Sequence, residues 1–169
     1  MTSSELVADA FGRIREIVND VLDGVTSEEL SARLGSEANS IAWLVWHLTR
    51  VQDDHIAEVA KTEQVWTAAG WAGRFALPLD VQDTGYSHDS DQVAAVSAEV
   101  SELRGYHEAV CEATLGYLAQ LSDNDLDTIV DKRWDPPVTL GVRLISVIAD
   151  DLQHAGQAAY LKGILQRRG

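Results

Sequence analysis

Four stretches of this chain repeat their apolar residues at alternating spacings of three and four, the period of one face of an α-helix. The first runs from about Ser4 to Leu22, with Val7, Phe11, Ile14, Val18 and Val21 in register. The second begins after Asn39-Ser40, two good helix caps, and reaches about Lys61; Leu44, Leu48, Val51, His55 and Val59 share a face, with His47 on its edge. The third spans about Ser90 to Leu121, its stripe running through Val93, Val96, Val100, Leu103, His107, Val110, Thr114 and Leu118. The fourth spans about Leu140 to Gln166, with Leu140, Leu144, Val147, Asp151, His154, Ala158, Leu161 and Leu165 in line. A helix with one apolar face must bury it, and four such helices in 169 residues can bury one another. The expectation is an all-α fold: a single four-helix bundle domain over residues 1–169, with one long crossover connection.

The connections agree. Gly24 stops the first helix, and "TSEELSARL" reads as a short capped segment with Thr26 or Ser27 as N-cap. Residues 62–88 lose the period but hold Trp66, Trp71, Arg74, Phe75, Pro78 and Tyr86, a content that predicts a packed flap. "LSDNDLDTIV" echoes the earlier short segment, and Pro136-Pro137 breaks the chain before Thr139 caps the last helix. "RFALPLDV" is at most one extended piece, so no sheet is expected.

Charge narrows the partners. A formal net charge of −14 is a poor match to nucleic-acid backbones and anionic membrane surfaces, and accords with a solvated acidic exterior. No segment approaches the ~20 apolar residues of a membrane helix, and the first residues do not read as a signal peptide, so the cytoplasm is the expected location. The one cysteine, Cys111, excludes an internal disulfide and reads as a small core residue.

Three long helices place a histidine on or beside their apolar stripe: His47, His107 and His154, the last accompanied by Asp150 and Asp151. Buried carboxylates are costly unless paired or bound to a metal, and bundle cores recurrently hold metals between facing helices. Residues four apart lie one above the other on a helix, so Asp150 and His154 can converge on one ion, with His47 as third ligand. Asp151, three residues before His154, is the rival to Asp150, and the spacing favours Asp150 only narrowly. Three protein ligands leave a position open, the pattern of a catalytic zinc site; the same donors also suit nickel, iron or manganese.

"NSIAWLVWHLTRVQDDHI" and "DDLQHAGQAAYLKGIL" together resemble the two signature helices of the DinB-like superfamily, and more narrowly its mycothiol-dependent branch. That branch includes the N-terminal domain of mycothiol-dependent maleylpyruvate isomerase and related thiol S-transferases. The resemblance covers nearly the whole chain. It implies an up-down-down-up bundle whose metal is held by His47, Asp150 and His154, which raises Asp150 above Asp151. Many relatives have His or Glu where this chain has the shorter Asp150. The isomerase adds a second domain that helps its catalysis. The resemblance therefore implies metal-assisted transfer using a low-molecular-weight thiol such as mycothiol, with a small-molecule electrophile, rather than isomerisation.

Around the trio, Trp46, His107, Arg74, Tyr86 and Arg133 are candidates to wall a pocket or support the ligands, with ordinary packing or surface pairing as the plainer role of each. His55 is a rival ligand by spacing, and His88 reads as a solvated loop residue. Two other functions use the same residues: a hydrolase that activates water on the metal, and a non-catalytic stress or interaction protein that retains the fold. A homodimer is also expected, since bundles often pair through an exposed face, though no face is singled out.

Overall fold

The computed structural model describes residues 1–168, most of them in four long helices: α1 (Ser3–Leu22), α3 (Ile41–Ala60), α7 (Val100–Leu118) and α8 (Leu140–Arg168). The short helices α2 (Ser27–Ser31), α4 (Val65–Ala68), α5 (Trp71–Phe75) and α6 (Ser90–Ala95) lie in the connections. Each start has a local cause. Thr2 and Glu5 form a reciprocal capping box at α1, Thr26 and Glu29 another at α2, and Ser40 Oγ accepts the Trp43 N–H at α3.

Cross-helix contacts fix the directions. Lys162 Nζ reaches carbonyls at the C-terminal end of α1, so α1 and α8 run parallel. His47 meets Asp150 while His55 meets Arg143, so α3 runs against α8. Ser4 bonds the Leu118 carbonyl and Asn19 bonds Glu108, so α7 runs against α1; Thr49 on His107 and Gln52 on Thr114 set α7 parallel to α3. The result is the up-down-down-up bundle that the resemblance implies. Its core includes Phe11, Ile14, Leu48, Leu103, Leu118 and Leu144, each almost wholly buried.

Every residue from Ile41 to Asp53 is buried, polar ones included. Two faces of α3 meet α7 and α8, and the crossover covers the rest. A buried ionic cluster pins that crossover. Asp53 accepts the Val65 and Trp66 N–H groups at 2.9 and 2.8 Å and the Tyr106 hydroxyl at 2.7 Å. Arg50 donates to the Asp83 carbonyl at 3.1 Å and to Gln64 at 2.8 Å, and stacks over Trp66. A charged pair this deep is a strong constraint, because removing one partner strands the other charge.

Three local expectations need correction. The third long helix does not begin at Ser90: α6 ends at Ala95, Val96 leaves the helical region, and α7 restarts after Glu99, whose N–H bonds Glu102 Oε2. A small sheet exists: β1 (Ile129–Asp131) pairs antiparallel with β2 (Val138–Thr139). It forms where Asp131 gathers Arg133 and Arg143, tying the turn to α8. "RFALPLDV" contributes no strand; its first two residues end α5. His55 is half-buried and bonds Arg143 rather than facing the core.

Candidate metal centre

His47, two turns into α3, faces Asp150 and His154 near the middle of α8. One ligand atom from each of the three lies within 4.8 Å of the other two. His47 Nε2 is 4.0 Å from Asp150 Oδ2, and His154 Nε2 is 3.7 Å from Asp150 Oδ1. The imidazoles meet edge to face with ring centroids 4.7 Å apart.

The hydrogen bonds behind the rings set their tautomers. A backbone carbonyl cannot donate, so the 2.5 Å contact of His47 Nδ1 with the Thr84 oxygen puts the proton on Nδ1. His154 Nδ1 faces Gln157 Oε1 at 3.1 Å, the same arrangement from a side chain. Each ring therefore turns Nε2 toward Asp150, whose Oδ2 is buried with no hydrogen-bond partner, and each neutral ring would offer its lone pair there. Two imidazole nitrogens and a carboxylate converging in this way form a donor set that could hold a metal ion. Metal-binding histidines characteristically carry such an acceptor on the other nitrogen. Ligand atoms around tetrahedral zinc sit roughly 3.4 Å apart when bonds are about 2.1 Å. The 4.0 and 3.7 Å separations here, one to each Asp150 oxygen, are wider than that, and the chemistry of the donor set fits a divalent ion.

Burial closes one side and opens the other. The His47 side chain is 3% exposed, His154 18% and Asp150 26%. Burial lowers the His47 pKa, only partly opposed by the Thr84 bond, which keeps the ring neutral and able to ligate. Trp43 stacks on His47 at 4.5 Å, and Tyr86 meets it edge-on at 5.2 Å. Tyr86 is 57% exposed, and burial together with Asp150 and Asp151 pushes its phenol up to about 12, so it stays protonated at the mouth of the site.

Further hydrogen bonds fix the loop that carries Thr84. Asp83 accepts the Gly85 N–H at 2.8 Å and bonds His88 Nε2 at 2.9 Å, while Trp43 Nε1 donates to His88 Nδ1 at 3.0 Å. His88 thus corrects an expectation: its side chain is 3% exposed and stacked on Trp46, a wedge rather than a solvated residue. Gly85 has φ +97°, and a Cβ there would lie 2.6 Å from His47 Nδ1. Glycine alone lets the backbone come this close. The sequence reading missed Thr84 and Gly85, since nothing local ties them to His47; Gln157, three residues after His154, was within reach of the same spacing rule.

The remaining candidates stand apart from the trio. Asp151 is wholly buried, its oxygens have no hydrogen-bond partner, and burial plus Asp150 hold its carboxyl well above the usual range. His107 lies on α7 with both nitrogens occupied: Nδ1 contacts Thr49 Oγ1 at 3.0 Å and Nε2 contacts Cys111 Sγ at 3.4 Å. Trp46 packs behind the loop. Arg74 lies over Trp71, and Arg133 is engaged by Asp131; neither hydrogen-bonds to the trio.

The profile of the mycothiol-S-transferase family matches residues 6–166. Among solved structures, a conserved protein from Enterococcus faecalis superposes with a TM-score of 0.90 at 32% sequence identity, over 96% of each chain. No curated protein matches the chain.

Proposed function

The chain belongs to the mycothiol-S-transferase family, and on that premise we propose that it joins the sulfur of a low-molecular-weight thiol, mycothiol or a close analogue, to a small electrophile at the His47–Asp150–His154 centre. The observation that carries this reading is the pair of Nε2 lone pairs held toward an unpartnered Asp150 oxygen, with both Nδ1 positions already occupied. A divalent ion there, zinc or else nickel, iron or manganese, would supply a Lewis acid that favours thiolate over thiol at neutral pH.

The chain's own residues do the rest. Thr84 and Gln157 accept the Nδ1 protons of His47 and His154, which leaves each Nε2 as the ligating atom, and burial keeps the His47 ring neutral. Asp150 brings the one carboxylate, lowering the charge of the centre without cancelling it. Trp43 and Tyr86 give the site an aromatic wall against which an electrophile can lie. The thiol passes its proton to solvent water at the open side of the site, its sulfur bonds the electrophilic carbon, and the leaving group departs with its electron pair. The protein's own thiol is unsuited to this: burial pushes Cys111 up to about 12, and its sulfur lies against His107 in the core.

The test is adduct formation from a small haloaromatic electrophile by protein loaded with zinc. Turnover is expected only with both thiol and metal, and a chelator should abolish it. Turnover indifferent to thiol would replace transfer by hydrolysis. Failure to take up one equivalent of zinc or nickel per chain would remove the metal centre altogether.

A further inference from the structure

We infer that the solvent face of α8 is an interface for a second copy of this chain, paired antiparallel about a two-fold axis between Ala149 and Leu152. Along this helix Val142, Ile145, Ala149, Leu152, Gly156 and Ala159 are all exposed and follow one another at spacings of three and four. They form one stripe, the seam pattern of two packed helices. None of the exposed α8 positions from Val142 to Tyr160 is charged. In a chain of net charge −14, a solvent face this long without Asp, Glu, Lys or Arg is out of keeping with the rest of the surface.

Charge selects the occupant. Two copies of so acidic a protein repel over most approaches, and a charge-free face lets them meet without burying like charges. Size selects the orientation. Set antiparallel, Val142 falls opposite Ala159 of the second copy, Ile145 opposite Gly156, and Leu152 opposite Ala149. Every pair sets a larger side chain on a smaller one, and the two-fold repeats each pair, as a symmetric interface requires. A parallel pairing would oppose Ile145 to Ile145 and leave a gap at Gly156.

Gly156 supplies a separate argument. Glycine inside a helix is destabilising relative to alanine. Nothing lies within 4 Å of a Cβ built there, so no contact within the chain explains its absence. The Ile145 side chain of a second copy would. Leu152 lies midway between Asp150 and His154 and, at 100° per residue, points to the other side of the helix. Pairing through it leaves the metal centre open to solvent.

Light scattering on the eluting protein should give twice the 18.4 kDa chain mass. Ile145→Glu and Gly156→Gln should each return the mass to 18.4 kDa while circular dichroism and zinc uptake stay at wild-type levels. Both sites are exposed, so the fold tolerates them. Mixed Ile145→Cys and Gly156→Cys proteins should form a disulfide-linked heterodimer under mild oxidation, and neither protein alone should cross-link. A monomeric wild type, a dimer insensitive to both substitutions, or cross-linking of Ile145→Cys with itself would each overturn the proposal.

Discussion

His47 and His107 are both buried histidines on facing helices, and the difference between them separates a candidate metal ligand from a core residue. His107 is closed on both sides. The Thr49 hydroxyl donates to the Val45 carbonyl at 2.7 Å, so its oxygen receives the His107 Nδ1 proton, while Nε2 lies against the Cys111 thiol. His47 is closed on one side only. Thr84 takes its Nδ1 proton, and Nε2 is left facing Asp150 and His154. Burial alone therefore identifies neither; the unfilled nitrogen does.

Substitutions ranked by their effect on metal affinity sharpen this contrast. His154→Ala removes a ligand and should lower zinc affinity by at least about a hundredfold, the upper range for supporting residues alone, with thiol-transfer turnover lost alongside; calorimetric titration and an adduct assay would read both. Gly85→Ala should come next. Its Cβ would press on His47 Nδ1 and its φ of +97° disfavours any side chain. Zinc affinity should fall by roughly ten- to a hundredfold and stability by about 1–3 kcal/mol, measured by titration and urea unfolding. Gln157→Ala unties only the exposed ring. Affinity should fall by about tenfold with stability changed by less than about 0.5 kcal/mol; a loss as large as that of His154→Ala would mean that Gln157 is itself a ligand.

His107 should leave zinc affinity unchanged and appear in the pH dependence of folding instead. Burial drives its pKa down to about 4, so the folded state keeps the ring neutral. An unfolded chain, with an ordinary value of 6.5, binds more protons between those limits. Stability contributed by the neutral ring is therefore complete above pH 6.5 and is lost as pH falls toward 4, by up to about 3 kcal/mol. Urea midpoints of the metal-free protein at pH 7 and 4.5 should converge in His107→Gln relative to wild type. An equal acid loss in both proteins would remove His107 from the account.

The four long helices and the pairing of Asp150 with His154 were legible because an i, i+4 relation is local. The Asp150–Asp151 ambiguity was the limit of that reasoning: the two carboxyls are 100° apart on one helix, and only the seating of α8 against α3 turns Asp150 toward His47 and Asp151 into the interior. The broken third helix was hidden because Val93, Val96 and Val100 keep the helical spacing across the interruption. What ends α6 is backbone geometry at Val96, and what restarts α7 is Glu102 bonding the Glu99 N–H. The small sheet escaped notice because three- and two-residue strands carry no pattern of their own; Asp131 and two arginines hold them.

By itself the sequence determined that this chain is a helical bundle, that its exterior is acidic, and that His47, His107 and His154 lie on or beside the core face, since each follows from composition or from a period of a few residues. Tertiary structure decided which nitrogen of each histidine is free, that His88 is a wedge rather than a surface group, and that a carbonyl beside a glycine holds His47 in place. Those outcomes depend on a crossover folded back over α3 by Arg50, Asp53 and Tyr106. Contacts between residues 37 positions apart, such as His47 and Thr84, leave no periodic trace along the chain.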